Sequence, residues 1–419
     1  MLIESLGRTP GLFLVPFNDY LFISNCSRMK VFVSLLLLFL GYSLAAQKTI
    51  KGLVLDSEKD QPLAGASVFL SNTSIGTVAN AKGNFELSIP AGKFDLIISS
   101  IGYETYSQTI KTAEVPEFIT IKLKPKAKEL ETIVVVPFEK DGWEKWGTFF
   151  LNNFVGQSFF AQNCTIKNKG VIKFRMDKKK DELTAIAFAP LIIENKALGY
   201  VIHYQMEEFT YDFKNKLLLY TGYPLFQQMQ GGEGKKKKWN KNREQAYYGS
   251  VLHFMRSIFR NKIEEEGFEL HPLKKIPNTE KQRIRHKVQI ENSRDSSRYF
   301  DRILAQEDYI DIVGKGKLTG DSIAYAVDSS TAGLNFKNYL LVVYKKGHTP
   351  IEFQEQYRDA SPIPVSQITL INGVPVEIEA NGYFYNPEDL LNTGYWAWAE
   401  KVGMMLPIDY YPVQTGSLK

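Results

Sequence analysis

Cysteine is scarce in this sequence. The 419 residues include two cysteines, Cys26 and Cys164. We expect Cys26 to lie upstream of the true start of the protein, which leaves Cys164 without an intramolecular disulfide partner. Stability must then come from a hydrophobic core, and a chain with 44% hydrophobic and 23% charged residues can supply one. The length suggests two or three domains.

Histidine is scarce as well, and its spacing excludes the familiar zinc motifs. The five histidines are His203, His253, His271, His286 and His348. None begins H-x-x-E and none forms H-E-x-x-H, the spacings that bring ligands onto one zinc and leave a position for water. His203 and Glu207 would lie about 13 Å apart along a predicted strand. The sequence therefore predicts no metal site and no catalytic zinc carboxypeptidase.

Other catalytic signatures are missing too. The chain has no G-x-S-x-G elbow, no G-x-x-x-x-G-K-[ST] loop and no D-x-D-x-D-G calcium loop. Cys164 is a lone thiol in a strand-like context, where core packing is the usual role. The net charge of +5 is small for this length and indicates no nucleic-acid partner. We therefore predict no catalytic residue and no cofactor, but paired carboxylates brought together by folding stay open as an alternative.

One apolar run stands out, near the N-terminus. Met29 and Lys30 open a basic region, residues 31–40 form an apolar stretch, and residues 43–46 supply small side chains for cleavage. This pattern is typical of a signal peptide, and the run is shorter than the roughly 20 residues that cross a bilayer. We expect a misassigned start at residues 1–28 and a signal peptide at residues 29–46. The mature chain is then exported to the periplasm or outer membrane and has no transmembrane segment.

Residues 47–124 consist of short alternating stretches broken by turn residues. Phe85, Leu87 and Ile89 alternate with polar neighbours, the period of two that characterises a strand with one buried face. About seven such stretches predict an antiparallel β-sandwich.

Three segments of this region, in order GLVLDSEKDQPLAGASVFL, GTVANAKGNFELSIPAG and LIISSIGYE, resemble the carboxypeptidase regulatory-like domain, a transthyretin-like sandwich. That module carries no catalytic residues in metallocarboxypeptidases, so the resemblance implies an accessory docking role. The module is also similar to the N-terminal extension of TonB-dependent outer-membrane receptors, and residues 130–136 resemble the stretch that follows it there. Since 283 residues follow Val136, too few for a plug and a barrel of about 22 strands, we do not expect such a receptor.

A charged linker at residues 125–140 leads to residues 141–419, which we interpret as a larger antiparallel β-rich domain. Its dense aromatic beginning at Trp143 and Trp146 predicts a helix packed on the sheet. The fold class is therefore mainly β, a seven-stranded sandwich followed by this larger domain with one long helix.

The long helix is predicted at residues 242–266, because apolar side chains recur there every three or four residues. The four lysines at residues 235–238 predict a flexible basic loop before it. Residues 288–291 predict a strand. The larger domain also loosely resembles the C-terminal part of Gram-negative envelope proteins that carry the regulatory-like domain, through phrases such as NREQAYYGSVLHFMRSIF and GYWAWAEKVGMMLPIDYYP.

Two groups of side chains are candidates for a ligand or partner surface. The first is a stripe turned away from the apolar face of the helix, and the second could stack on sugars; core packing is the alternative for both. The two groups are Trp239, Arg243, Tyr247 and Ser250, and Tyr395, Trp396 and Trp398.

The sequence favours a non-enzymatic exported protein of the cell envelope. In this hypothesis the sandwich is a docking module, and the larger domain binds an envelope protein or a glycan or assists assembly of the outer membrane. The alternative is a hydrolase with a non-local carboxylate site in the larger domain. Oligomeric state has no signal in the sequence.

Overall fold

A computed structural model describes residues 48–126, 136–291 and 298–413. The predicted start and signal peptide, and residues 127–135 of the predicted linker, lie outside these residues. Mainly β structure was predicted and is confirmed.

Seven strands form the N-terminal sandwich that the alternating pattern predicted. They make a three-stranded sheet in the order β4-β1-β7 and a four-stranded sheet in the order β3-β2-β5-β6. In β4, Phe85, Leu87 and Ile89 are buried and their neighbours are exposed, as the period of two requires. β1 and β7 pair in parallel, unlike the antiparallel arrangement predicted, because a long crossover brings the two end strands of the sandwich side by side. The strands are β1 (Lys48–Asp56), β2 (Ser67–Leu70), β3 (Gly76–Val78), β4 (Asn84–Ile89), β5 (Lys93–Ser99), β6 (Tyr106–Lys111) and β7 (Phe118–Leu123).

A six-stranded antiparallel sheet follows, covered by the helix predicted from the aromatic residues. The elements are α1 (Gly142–Phe154), α2 (Phe159–Gln162), β8 (Cys164–Ile166), β9 (Ile172–Asp177), β10 (Glu182–Ala187), β11 (Leu191–Asn195), β12 (Tyr200–Asp212) and β13 (Leu217–Gln228). The strand order is β8-β11-β12-β10-β9, and β13 pairs with the long strand β12. On α1, Phe150 and Phe154 are fully buried against Phe209 at ring distances of 4.8 and 6.3 Å. This aromatic packing joins the helix to the sheet.

The single long helix predicted at residues 242–266 is two helices, α3 (Glu233–Tyr247) and α4 (Val251–Phe259). Gly249 separates them with a positive φ of 85°, a left-handed conformation that a continuing helix cannot contain. Ser250 then caps α4 by accepting a hydrogen bond from the His253 backbone N–H. The lysines at residues 235–238 lie within α3, so the prediction of a flexible loop there was wrong.

The remaining elements build a five-stranded sheet in the order β15-β14-β18-β19-β21 and a three-stranded sheet in the order β16-β17-β20. The strand predicted at residues 288–291 was wrong, since these residues end α5. No helix among the described residues is long and apolar enough to span a membrane. The elements are β14 (Phe268–Pro277), α5 (Thr279–Glu291), α6 (Arg298–Leu304), β15 (Tyr309–Val313), α7 (Gly320–Ile323), β16 (Ala324–Ala326), β17 (Thr331–Leu334), β18 (Tyr339–Tyr344), α8 (Ile351–Gln356), β19 (Val365–Leu370), β20 (Val376–Glu379), β21 (Leu390–Gly394) and α9 (Tyr395–Ala399).

The sandwich is packed firmly against the rest of the chain, and the protein from Thr49 onward forms one compact unit. Ile408, close to the C-terminus, is buried in the hydrophobic core of the sandwich. Its backbone N–H donates to the Asn72 carbonyl at 2.7 Å, and the Tyr383 hydroxyl donates to Asp95 at 2.5 Å. These contacts fix the position of the sandwich through both its core and its surface.

Candidate functional site

The predicted helix stripe lies in the interior. Trp239 and Arg243 are 7% and 6% exposed. The Trp239 indole donates to the Lys196 carbonyl at 3.0 Å, and Arg243 Nε donates to the Leu198 carbonyl at 2.7 Å. The Arg243 guanidinium lies 3.9 Å from the centre of the Tyr200 ring, and burial lowers its pKa. These two side chains thus attach α3 to the turn before β12.

The other half of that stripe also supports the fold. Tyr247 is buried against the His253 ring at 4.9 Å, and the Ser250 hydroxyl donates to the Tyr247 carbonyl at 2.7 Å. His253 Nδ1 accepts a hydrogen bond from the Gly249 N–H, so Nε2 carries the proton and donates to Glu266 at 2.7 Å. This histidine therefore holds the break between α3 and α4 in place.

The C-terminal aromatic group is buried as well. Tyr395, Trp396 and Trp398 are at most 9% exposed. The Trp396 indole donates to the Gly249 carbonyl at 2.8 Å, and the Trp398 indole donates to Gln356 at 2.9 Å. Burial leaves these rings no open face for a sugar to stack on. For both the helix stripe and the C-terminal aromatic group, the geometry favours core packing, the alternative that the sequence left open. Their role as a ligand or partner surface stays a prediction.

The structure instead presents a cleft of about 620 Å³ between α1, α2 and α8. Its apolar lining includes Leu151, Val155 and Ala161. Its polar lining consists of four amides and two carboxylates: Asn152, Gln157, Gln162, Gln356, Glu352 and Glu355. Amides both donate and accept hydrogen bonds, whereas carboxylates accept, so the cleft suits a neutral ligand that is rich in hydroxyl groups.

Two residues with shifted pKa values, Glu400 and Lys401, follow α9, and the second of them contacts the cleft wall. Glu400 is partly buried, and desolvation raises the pKa of its carboxyl to about 7, although Val251 N–H donates to it at 2.9 Å. Desolvation lowers the pKa of Lys401 to about 8. The stem of Lys401 packs on Gly156 of the cleft, where an added Cβ would lie 2.9 Å from the lysine Cβ. Lys401 therefore connects this segment to the cleft wall.

Nucleophile and metal chemistry have little support at the cleft. Cys164 lines it, but burial raises the pKa of the thiol to about 12, which keeps it protonated and unreactive. Within the described ranges no group of three His, Cys, Asp or Glu side chains could hold a metal ion.

The sequence reasoning missed the cleft residues. Asn152, Gln162 and Glu355 have ordinary helix-surface settings, and no local motif marks them. The signal that could have directed attention to α8 is its pair of glutamates one turn apart, Glu352 and Glu355, but such pairs are common on solvated helices.

Comparisons with known proteins concern the sandwich. Residues 50–135 match the CarboxypepD_reg-like domain family. A TonB-dependent receptor of Formosa agariphila is 31% identical over 117 residues, 27% of this chain and 11% of the receptor. TonB-dependent receptor SusC of Bacteroides thetaiotaomicron is 31% identical over 113 residues, 26% of this chain and 11% of the receptor. The match thus spans about a tenth of the length of these curated relatives.

A crystal structure of a DUF3823 family protein from Bacteroides ovatus is 13% identical and covers 45% of this chain and 83% of that chain. Its TM-score is 0.16, too low for an argument about fold. The family match carries the conclusion, and it confirms the resemblance seen in the sequence. Residues 50–135 of this chain belong to the CarboxypepD_reg-like domain family, and TonB-dependent receptors share this part of the chain.

Proposed function

We propose that this is a non-enzymatic binding protein of the cell envelope that takes a glycan in the cleft between α1, α2 and α8. The observation that carries the proposal is the lining of four amides and two carboxylates, which can satisfy the many donors and acceptors of a sugar. The apolar side chains beside them, such as Leu151 and Val155, can contact the carbon faces of the ring.

The CarboxypepD_reg-like domain supports placement in the envelope, since TonB-dependent receptors share it. We infer that in this protein the domain is an accessory docking module, which the rest of the chain holds in a fixed orientation. The Nζ atom of Lys93 on β5 lies 3.5 Å from Glu377 Oε2 and 3.9 Å from the centre of the Tyr385 ring. These contacts add to those of Ile408 and Tyr383. A partner that binds the sandwich would therefore also set the direction in which the cleft opens.

A glycoside hydrolase is the alternative, because carboxylates line the cleft. Hydrolysis needs two carboxyl groups that flank the scissile bond, about 5 to 9.5 Å apart. Glu352 and Glu355 both belong to α8 and are one turn apart on a single wall, an arrangement that supports binding over hydrolysis.

The test is binding of the mature chain to an array of uncharged oligosaccharides built from hexose and N-acetylhexosamine units, followed by calorimetry. We expect Asn152→Ala with Glu355→Ala to weaken binding on the order of 30-fold, since each removes a hydrogen bond to the ligand. The matched control, Gln245→Ala with Glu264→Ala, removes the same exposed side-chain types outside the cleft and should bind as the parent does. Absence of binding by the parent would sink the proposal, and turnover that Glu355→Gln abolishes would establish the hydrolase.

A further inference from the structure

The first half of α3 carries a concentrated positive charge. The lysines concerned are all exposed: Lys235, Lys236, Lys237, Lys238 and Lys241, here called the lysine face. Lys236 pairs with Glu233 at 2.9 Å. The other four have no carboxylate within ion-pair distance among the residues that the structure describes. Most of the charge on the lysine face is therefore available to an external anion.

The lysine face is held rigidly. Three other side chains of α3 donate to consecutive backbone carbonyls: Trp239 to Lys196 at 3.0 Å, Asn242 to Ala197 at 2.7 Å and Arg243 to Leu198 at 2.7 Å. All three side chains are buried. These bonds prevent the helix from rotating, so the direction of each lysine around α3 is fixed relative to the rest of the protein.

Placing lysines at this end of a helix has a stability cost. The N-terminus of a helix carries a partial positive charge, which favours acidic residues there and disfavours basic ones. Glu233 is the acidic residue of the first turn, and the next charged residues are the four lysines. A sequence that opposes a local preference without an internal gain indicates a requirement of function.

A second lysine run provides a contrast. Lys178, Lys179 and Lys180 lie in the turn between β9 and β10, between Asp177 and Asp181. Asp177 also accepts the backbone N–H groups of Lys179 and Lys180, which holds its carboxylate beside the run, so two carboxylates offset part of the charge of three lysines. On α3, by contrast, the five lysines share one ion pair among the described residues, that of Lys236 with Glu233.

The arrangement of the lysine face indicates the form of its partner. Consecutive helical residues point about 100° apart, so residues 235–238 radiate around the first turn, and Lys241 lies one turn after Lys237. Amines spread around a helix cannot converge on one small anion, but Lys237, Lys238 and Lys241 share one side of α3 and can together contact phosphates spread over a surface. We propose that the lysine face docks the protein onto an anionic phospholipid surface, a function separate from glycan binding in the cleft.

The test is co-sedimentation of the full mature chain with vesicles of phosphatidylcholine alone or mixed with phosphatidylglycerol. We expect preference for the anionic vesicles, weakened by salt. Replacing Lys235, Lys237 and Lys238 by Gln should weaken binding on the order of 100-fold, and Lys241→Gln alone about fivefold. The matched control replaces Lys178, Lys179 and Lys180 by Gln, which removes the same net charge and should change binding much less.

Equal losses in the two triple variants, or no preference for anionic vesicles, would overturn the proposal. Inorganic phosphate at matched ionic strength should not displace the protein, and displacement would indicate a small-anion site instead. Capture of a soluble anionic polysaccharide through Lys235, Lys237 and Lys238, without vesicle binding, would replace the membrane by a polysaccharide as the partner. Circular dichroism checks that each variant is folded. If the triple variant misfolds, Lys241→Gln alone still tests the proposal.

Discussion

At the scale of single residues, a buried arginine secures the C-terminal segment. Arg256 on α4 is fully buried. Its Nε donates to the Asn381 carbonyl at 2.7 Å, and its two terminal nitrogens donate to Tyr410 and Ile408 carbonyls at 2.9 and 2.8 Å. The planar guanidinium suits three fixed carbonyls at once, a task that lysine could not perform. Arg256 thus holds the segment whose Ile408 enters the sandwich.

Glu400 provides a prediction for pH dependence. Its carboxyl has a pKa of about 7 in the folded protein, above the ordinary value of 4.5, chiefly because desolvation disfavours the charged form. The folded state then binds more protons than the unfolded state between these values, so stability decreases as pH rises from about 4.5 to 7. Glu400→Gln avoids this loss. We expect the difference in melting temperature, variant minus parent, to be larger at pH 8 than at pH 5.

The control is the exposed Glu264→Gln, for which this difference should not depend on pH. A constant difference for Glu400→Gln as well would mean that the carboxyl ionises normally.

At the scale of elements, the break between α3 and α4 decides where several core side chains point. Gly249 has a φ of 85°, and a Cβ there would lie 2.6 Å from the Tyr344 ring. Gly249→Ala combines backbone strain with a clash, and we expect a loss of about 2 kcal/mol or more in the free energy of unfolding. Urea denaturation measures it.

Gly234→Ala, within α3, is the matched control. An added Cβ there meets no atom within 4 Å. Because alanine favours the helix over glycine, the control should be stabilising by about 0.5 to 1 kcal/mol. Similar effects of the two substitutions would contradict the strain assigned to Gly249.

At the scale of the whole molecule, the sandwich and the remainder share their cores. Ile408 is 7% exposed within the sandwich core, and Arg256 holds the same segment from the other side. We expect calorimetry to show a single unfolding transition for the parent protein. Ile408→Ala should cost about 2 to 4 kcal/mol and separate or broaden the transition, since it removes the shared contact.

Ile101, which is 75% exposed on the sandwich, supplies the control. Ile101→Ala should change stability by less than about 0.5 kcal/mol. Two transitions already present in the parent would show that the sandwich unfolds on its own and that Ile408 does not couple it to the rest.

The two parts of the chain differ in how much of their structure the sequence predicted. In β4 the alternation of Phe85, Leu87 and Ile89 predicted which side chains are buried, because a period of two leaves no other consistent face. Across Gly249 the apolar pattern continued at three and four residues, so one helix was predicted where two exist. Periodicity alone does not detect a left-handed residue within a regular pattern.

The sequence by itself determined the strands of the sandwich, its resemblance to the regulatory-like family and the helix at the aromatic beginning of the larger domain, because these depend on local periodicity and ordered motifs. Only the tertiary structure decided the rest. Trp239 and Trp396 are core residues because the turn before β12 and the break at Gly249 supply carbonyls for their indoles. The cleft arises where helices far apart in sequence meet, and contacts of that kind depend on packing that no local pattern contains.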